Sequence, residues 1–193
     1  MVKQFTLIYN NTLQHANALN AETGEVYTGL LYHGYDYSKT ASWASDDRGH
    51  SPEVWIRALG WYMMALADML EIAPAAYQPI FVKYLQDLAP KVIKAADPNS
   101  GVWWLVMSQP GRKGNYFESS GAVMFVYGIL KGIRLGALED ADGSLLAGAT
   151  KAYKYIVNNW VVDNGNGTMN WLNTVRVGSL DQDGSFEVGD LVL

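Results

Sequence analysis

The chain has 193 residues, 49% apolar, 12% aromatic and 17% charged, enough apolar material to fill one core and too little charge for a disordered chain. A formal net charge of −5 argues against a nucleic-acid partner, which needs a basic face. The absence of cysteine excludes disulfides, thiol catalysis and thiolate metal sites. His15, His33 and His50 lie far apart, with no HExxH pair, so a dedicated zinc site is not expected. The longest apolar run, Trp61 to Leu70, includes Asp68 and is too short to span a bilayer. The N-terminus lacks the pattern of a secretory signal.

Five helices are expected in chain order. The first, over residues 3–19, has Phe5, Ile8, Leu13 and Ala16 at loose helical spacing. The second begins after His50, with Ser51 as N-cap, Pro52 in the first turn and Glu53 at the positive end of the dipole. It runs to Ile72, before Pro74, and is apolar nearly all round except at Arg57 and Asp68, the pattern of a buried helix. The third, over 76–95, carries a stripe of Ile80, Phe81, Tyr84, Leu85, Leu88 and Val92, with Lys83, Gln86, Asp87 and Lys91 around the rest. The fourth, over 119–138, is again apolar and holds Gly121, Gly128 and Gly132, which cost about 1 kcal/mol each in a helix and suit a close helix crossing. The fifth, over 144–161, returns to a stripe of Leu145, Ala149, Tyr153, Ile156 and Trp160. Buried and half-exposed helices alternate, which predicts two helical layers.

The long links also repeat. AETGEVYTGLLYHGYD, ADPNSGVWWLVMSQ and VDNGNGTMNWLNTV each pass a polar turn and a glycine into an aromatic stretch suited to a short strand. Their spacing of about 70 residues predicts a repeated helical hairpin with the long loops on one rim. Loops gathered on one rim form a substrate mouth.

The first of these rim regions, Tyr27 to Trp61, gathers the chemistry: His33, Trp43, Trp55, Arg57 and Trp61. Aromatic faces stack on sugar rings, and a guanidinium offers a fork to a carboxylate. Arg57 and Trp61 share a helix face at i,i+4. The bland explanations are real. Trp55 and Trp61 suit a buried helix, and Arg57 is equally served by Asp46, Asp47 or Asp68 as a partner. QPGRKGNYFESSG adds Arg112 and Lys113 in a Gly-flanked turn and Glu118 before a helix, either as further ligand contacts or as a solvated turn and a helix cap. No carboxylate pair is selected by spacing for ordinary glycoside hydrolysis. The sequons at Asn10 and Asn166 matter only to an exported chain.

TGLLYHGYD, a following Trp, SPEVWIRALGWYMMALADMLE and NYFESSGAVMFVYGILKGIRLG together closely resemble the unsaturated rhamnogalacturonyl hydrolases, glycoside hydrolase family 105. The resemblance runs from about Lys3 to Glu187. It implies an all-α fold, part of an (α/α)6 barrel of alternating inner and outer helices with short strands in the rim loops. It implies as partner an oligosaccharide ending in an unsaturated uronic acid, no cofactor, and His33, Trp55, Arg57 and Trp61 as substrate contacts. Trp43, Arg112, Lys113 and Glu118 are further candidates. In that family an Asp protonates the vinyl ether, water adds to the neighbouring carbon, and the hemiketal opens to release the leaving sugar. That Asp is expected upstream of residue 1, so residues 1–193 are expected to form a single incomplete C-terminal unit, inactive or nearly so alone and open to self-association through exposed inner helices. A non-catalytic carbohydrate-binding or scaffold remnant and an unsaturated glucuronyl hydrolase are the alternatives. The family resemblance leaves the compartment open: secreted if fungal-like, cytoplasmic if bacterial-like.

Overall fold

The computed structural model describes residues 1–16, 19, 24–176 and 191–192. Five helices dominate: α1 (Val2–Thr12), α2 (Ile56–Ile72), α3 (Gln78–Lys94), α4 (Ser119–Arg134) and α5 (Ser144–Trp160). The short strands β1 (Val161–Asp163) and β2 (Met169–Trp171) form an antiparallel hairpin, and β3 (Thr174–Val175) pairs antiparallel with β4 (Leu191–Val192).

The two layers predicted from the alternating patterns are present. α2 packs most extensively on α4, while α3 and α5 lie behind them. α1 joins the outer layer: Tyr9 stacks on Tyr84 at 4.3 Å and donates to Asp87 at 2.6 Å, while Phe5 meets Phe81 edge-on. Phe81, Leu85, Leu88 and Val92 of α3 and Leu145, Ala149, Ala152 and Ile156 of α5 form the buried stripes that cover α2 and α4.

α2 and α4 approach closely because glycines stand at their crossing. A methyl group on Gly121 would lie 2.6 Å from Ile56 Cγ1 and 2.9 Å from the Ile56 carbonyl carbon, and one on Gly60 would meet Met124. Gly121→Ala should therefore destabilise the fold by about 1–3 kcal/mol, since the backbone of α2 must move. Thermal denaturation checks this; an unchanged midpoint would mean that the crossing is loose.

Several expected helix boundaries are corrected. α1 stops at Thr12, not near residue 19, because Leu13 turns extended and bridges Leu31, and the Gln14 side chain is taken by Thr28, Gly29 and Val26. Part of the predicted continuation lies outside the described residues, as does the resemblance beyond residue 176. α2 begins at Ile56, not at Pro52. Residues 54–56 instead pair with the second rim loop: Met107 N–H donates to Val54 O at 2.8 Å, Ile56 N–H to Leu105 O at 3.0 Å, and Trp55 bridges Val106. Long-range backbone pairing thus overrides every local start signal in Ser-Pro-Glu. α4 and α5 end at Arg134 and Trp160, slightly earlier than expected. Of the three similar rim loops, the third forms the β1–β2 hairpin, while among the described residues the first two make isolated bridges.

α2 and α4 are not covered all round. Trp61, Ile72, Val123 and Tyr127 are exposed, on helices whose other faces are buried. Asp68 is matched across the two helices by Lys131 at 2.8 Å and the Tyr127 hydroxyl at 2.7 Å.

Candidate functional site

The first turn of α2 meets the N-terminus of α4 at the rim. Glu118 is the N-cap of α4 and is completely buried. Its Oε2 accepts Gly121 N–H at 2.8 Å, and its Oε1 accepts Ser120 N–H at 3.1 Å, the Ser120 hydroxyl at 2.7 Å and Val175 N–H at 3.2 Å. One side chain therefore satisfies two open donors of a helix end and ties β3 to it. A buried carboxylate also demands a cation, and Arg57 supplies it.

Arg57 Nη2 stands 3.3 Å from Glu118 Oε1 and also donates to the Val175 carbonyl, while Nε donates to Ser120 Oγ at 2.7 Å. Nη1 has no hydrogen-bond partner among the described residues, and the side chain is 20% exposed. The guanidinium is thus held rigidly from one side with one N–H pair still available. One turn along α2, at i+4 from Arg57, Trp61 is 55% exposed. Tyr116 belongs to this group but escaped the sequence reading. Its hydroxyl is buried without a hydrogen-bond partner among the described residues, and burial, with the nearby Glu118 charge, pushes the phenol up to about 12. It stays protonated as a donor. Its place in NYFESSG, two residues before Glu118, was the available signal.

Trp55 is almost fully buried, ahead of α2 and not on its face, and its ring lies nearly parallel to His33 at 5.6 Å. His33 is fixed through its backbone N–H, which donates to Glu53 O at 2.9 Å. Burial pulls the His33 imidazole below its usual range, so it is neutral near pH 7. Burial does the same to His50, helped by Arg48 and opposed by the Ser51 carbonyl and Asp47; His50 stacks on Tyr32 at 4.2 Å. For these two groups the folded value lies below the unfolded one. Their stabilising contribution is therefore complete above about pH 6.5 and is lost as pH falls through that value towards the depressed ones. Stability should drop on acidification below about pH 6.5, and His50→Phe should make that drop shallower. Denaturation midpoints across pH for the two proteins check it, and superimposable profiles would refute it.

The remaining candidates separate from this centre. Arg112 Nη1 donates to Glu53 Oε1 at 2.8 Å, and the Ser108 hydroxyl holds Glu53 Oε2 at 2.8 Å. Burial raises the Glu53 carboxyl despite those two partners. This pair pins the second rim loop to the strand-like segment before α2. Lys113 is exposed in the adjoining turn. Trp43 is half-buried in the loop closed by Asp36 N–H on Gly49 O at 2.8 Å, with no hydrogen bond or ring contact to Arg57 or Trp55. A cavity of about 500 Å3 opens on the rim between Tyr27, Lys91, Trp104 and Met107, and none of the candidate residues lines it. Among the described residues no three His, Asp or Glu side chains are placed to hold a metal, and no helix is long and apolar enough to cross a membrane.

The chain is 39% identical over 135 residues to Protein Atu3128 of Agrobacterium fabrum, a match covering 69% of this chain and 56% of that protein. The 24.9 kDa protein in the picA locus of Rhizobium radiobacter matches to the same extent. A family 105 glycoside hydrolase of C. acetobutylicum ATCC 824 shares the fold with a TM-score of 0.85 and 36% identity, over 99% of this chain and 52% of that one. A possible family 105 member from Klebsiella pneumoniae, 24% identical, has the same fold at a TM-score of 0.71, over 99% of this chain and 44% of that one. The chain thus spans about half the length of the relatives it matches, and its two layers are those of the (α/α)6 barrel. The family model for Glycosyl Hydrolase Family 88 matches residues 1–186, and the chain belongs to that family.

Proposed function

We propose that this chain provides the sugar-binding part of a glycoside hydrolase that removes a terminal unsaturated uronic acid from rhamnogalacturonan oligosaccharides. The observation that carries this is Arg57: a guanidinium braced by Glu118, Ser120 and Val175, with Nη1 still available and an exposed indole one turn away. Nη1 receives the uronate carboxylate, Trp61 the face of the ring, and the protonated Tyr116 a further oxygen. Trp55 and neutral His33 form the wall behind, where the imidazole can donate to a hydroxyl.

The proton donor for the vinyl ether comes from outside the matched half of the barrel. Neither buried carboxylate near the mouth is free for that task, since Glu118 is consumed by α4, β3 and Arg57, and Glu53 by Ser108 and Arg112. The chain alone therefore binds the unsaturated sugar without turning it over, and the exposed faces of α2 and α4 around Val123 and Tyr127 are where it self-associates. A carbohydrate-binding protein without turnover is the second reading, favoured by the same commitment of both carboxylates.

The experiment is incubation with unsaturated rhamnogalacturonan disaccharide, following the ultraviolet absorbance of its double bond, beside calorimetry with the same sugar. Binding weakened by Arg57→Ala with little loss of absorbance is expected. No binding would overturn the pocket, and rapid loss abolished by Glu53→Gln or Glu118→Gln would overturn the assignment of the acid.

A further inference from the structure

The turn between β1 and β2 contains two Asn-Gly pairs, Asn164-Gly165 and Asn166-Gly167, and residues 162–170 are all exposed. Glycine after asparagine leaves the next backbone nitrogen unshielded, close to the side-chain carbonyl carbon. The sequence makes the two pairs equivalent. Their hydrogen bonds do not.

Gly165 N–H donates to Asp163 Oδ1 at 2.8 Å. That nitrogen must lose its proton before it can attack, and a carboxylate at hydrogen-bond distance opposes the second negative charge. Asn164 is also tied down: its backbone N–H donates to Thr168 O at 3.1 Å, and its Nδ2 donates to Thr168 Oγ1 at 2.9 Å and Asn170 Oδ1 at 3.2 Å. Gly167 N–H has no hydrogen-bond partner among the described residues. Asn166 Oδ1, by contrast, accepts Thr168 N–H at 3.1 Å and Thr168 Oγ1–H at 2.7 Å. Two donors on that oxygen polarise the carbonyl and stabilise the negative charge it gains on attack, as an oxyanion site does.

We propose that Asn166, and not Asn164, is a site of spontaneous deamidation through a cyclic imide. Hydroxide removes the Gly167 amide proton, and the nitrogen forms a bond to Asn166 Cγ. The Cγ–Nδ2 bond then breaks, and Nδ2 takes a proton from water and leaves as ammonia. Water adds to one of the two imide carbonyls and breaks its bond to the ring nitrogen, leaving aspartate or isoaspartate. The sum is one water consumed and one ammonia released, with no oxidation or reduction. The product adds a negative charge to a hairpin that already carries Asp163, and isoaspartate inserts a methylene into its main chain. Trp171 of the same hairpin donates from Nε1 to Ser119 Oγ at 2.8 Å, next to Glu118, so the change reaches the rim of the sugar site. The chemistry itself is independent of the glycosidase reading.

The test holds the folded protein at mildly alkaline pH and follows each Asn-Gly by peptide mapping, with enzymatic methylation to detect isoaspartate. Asn166 should convert roughly tenfold faster than Asn164, a barrier difference of about 1.4 kcal/mol, and in urea the two rates should converge. Asp163→Ala, which frees Gly165 N–H, should raise the Asn164 rate towards that of Asn166. Gly167→Ala should slow conversion at Asn166. Equal rates in the folded chain, a preference that survives in urea, or an Asn164 rate unmoved by Asp163→Ala would each overturn the proposal.

Discussion

Glu118→Ala should cost about 3–5 kcal/mol of folding stability, the usual cost of stripping one partner from a buried ion pair. Four donors besides Arg57 Nη2 converge on this carboxylate, and three of them are backbone or hydroxyl groups at the start of α4. Removing it leaves a largely buried guanidinium and an uncapped helix together. For a chain of this size the midpoint of thermal unfolding should fall on the order of 10 °C. Glu118→Gln, which keeps acceptor oxygen but not charge, should lose less. Arg57→Ala combined with Glu118→Ala should cost clearly less than the two single losses added, because the unpaired charge disappears with its partner. Additive losses would mean that the pair is incidental to the fold.

Trp61→Ala should separate binding from stability. The indole is 55% exposed, so its removal should shift stability by no more than about 0.5 kcal/mol. Loss of a stacking face should weaken the unsaturated disaccharide roughly tenfold, about 1.4 kcal/mol. Trp55→Ala is the contrast. That ring is only 2% exposed and stacks on His33, so truncation should cost about 3–5 kcal/mol of stability. Calorimetric titration with denaturation of both variants tests the pair. A Trp61 variant that binds normally would remove the indole from the site.

The stripes of α3 and α5 were legible because each helix meets its neighbours with one face, and the spacing of Phe81, Leu85 and Leu88 or of Leu145, Ala149 and Ile156 records that face directly, although Tyr153, expected in the α5 stripe, is 54% exposed and Ala152 is buried in its place. The glycines of α4 were legible as a close crossing for a similar reason. The start of α2 was not. Ser51, Pro52 and Glu53 carry every local sign of a helix N-terminus, yet Val54 and Ile56 spend their backbone groups on Met107 and Leu105. A partner some fifty residues away leaves no trace in a local window.

The site divides in the same way. That Arg57 needed an acidic partner followed from its place in an apolar segment. Which acid it takes did not follow, for Asp68 goes to Lys131, Asp47 to Arg48, and the guanidinium to Glu118, which the sequence offered as a cap or a ligand contact. By itself the sequence determined the helical layers, the rim on which the long loops gather, and the aromatic and basic residue types proposed to contact an acidic sugar. Those features depend on periodicity and chemistry within short spans. Only the tertiary structure decided where α2 begins, which carboxylate holds Arg57, that Tyr116 lies near Glu118 and Arg57, and which of two Asn-Gly pairs has its glycine N–H tied to a carboxylate. In each case the deciding group lies on another element or at a distance along the turn, and its effect depends on a hydrogen bond that exists only once the chain has folded.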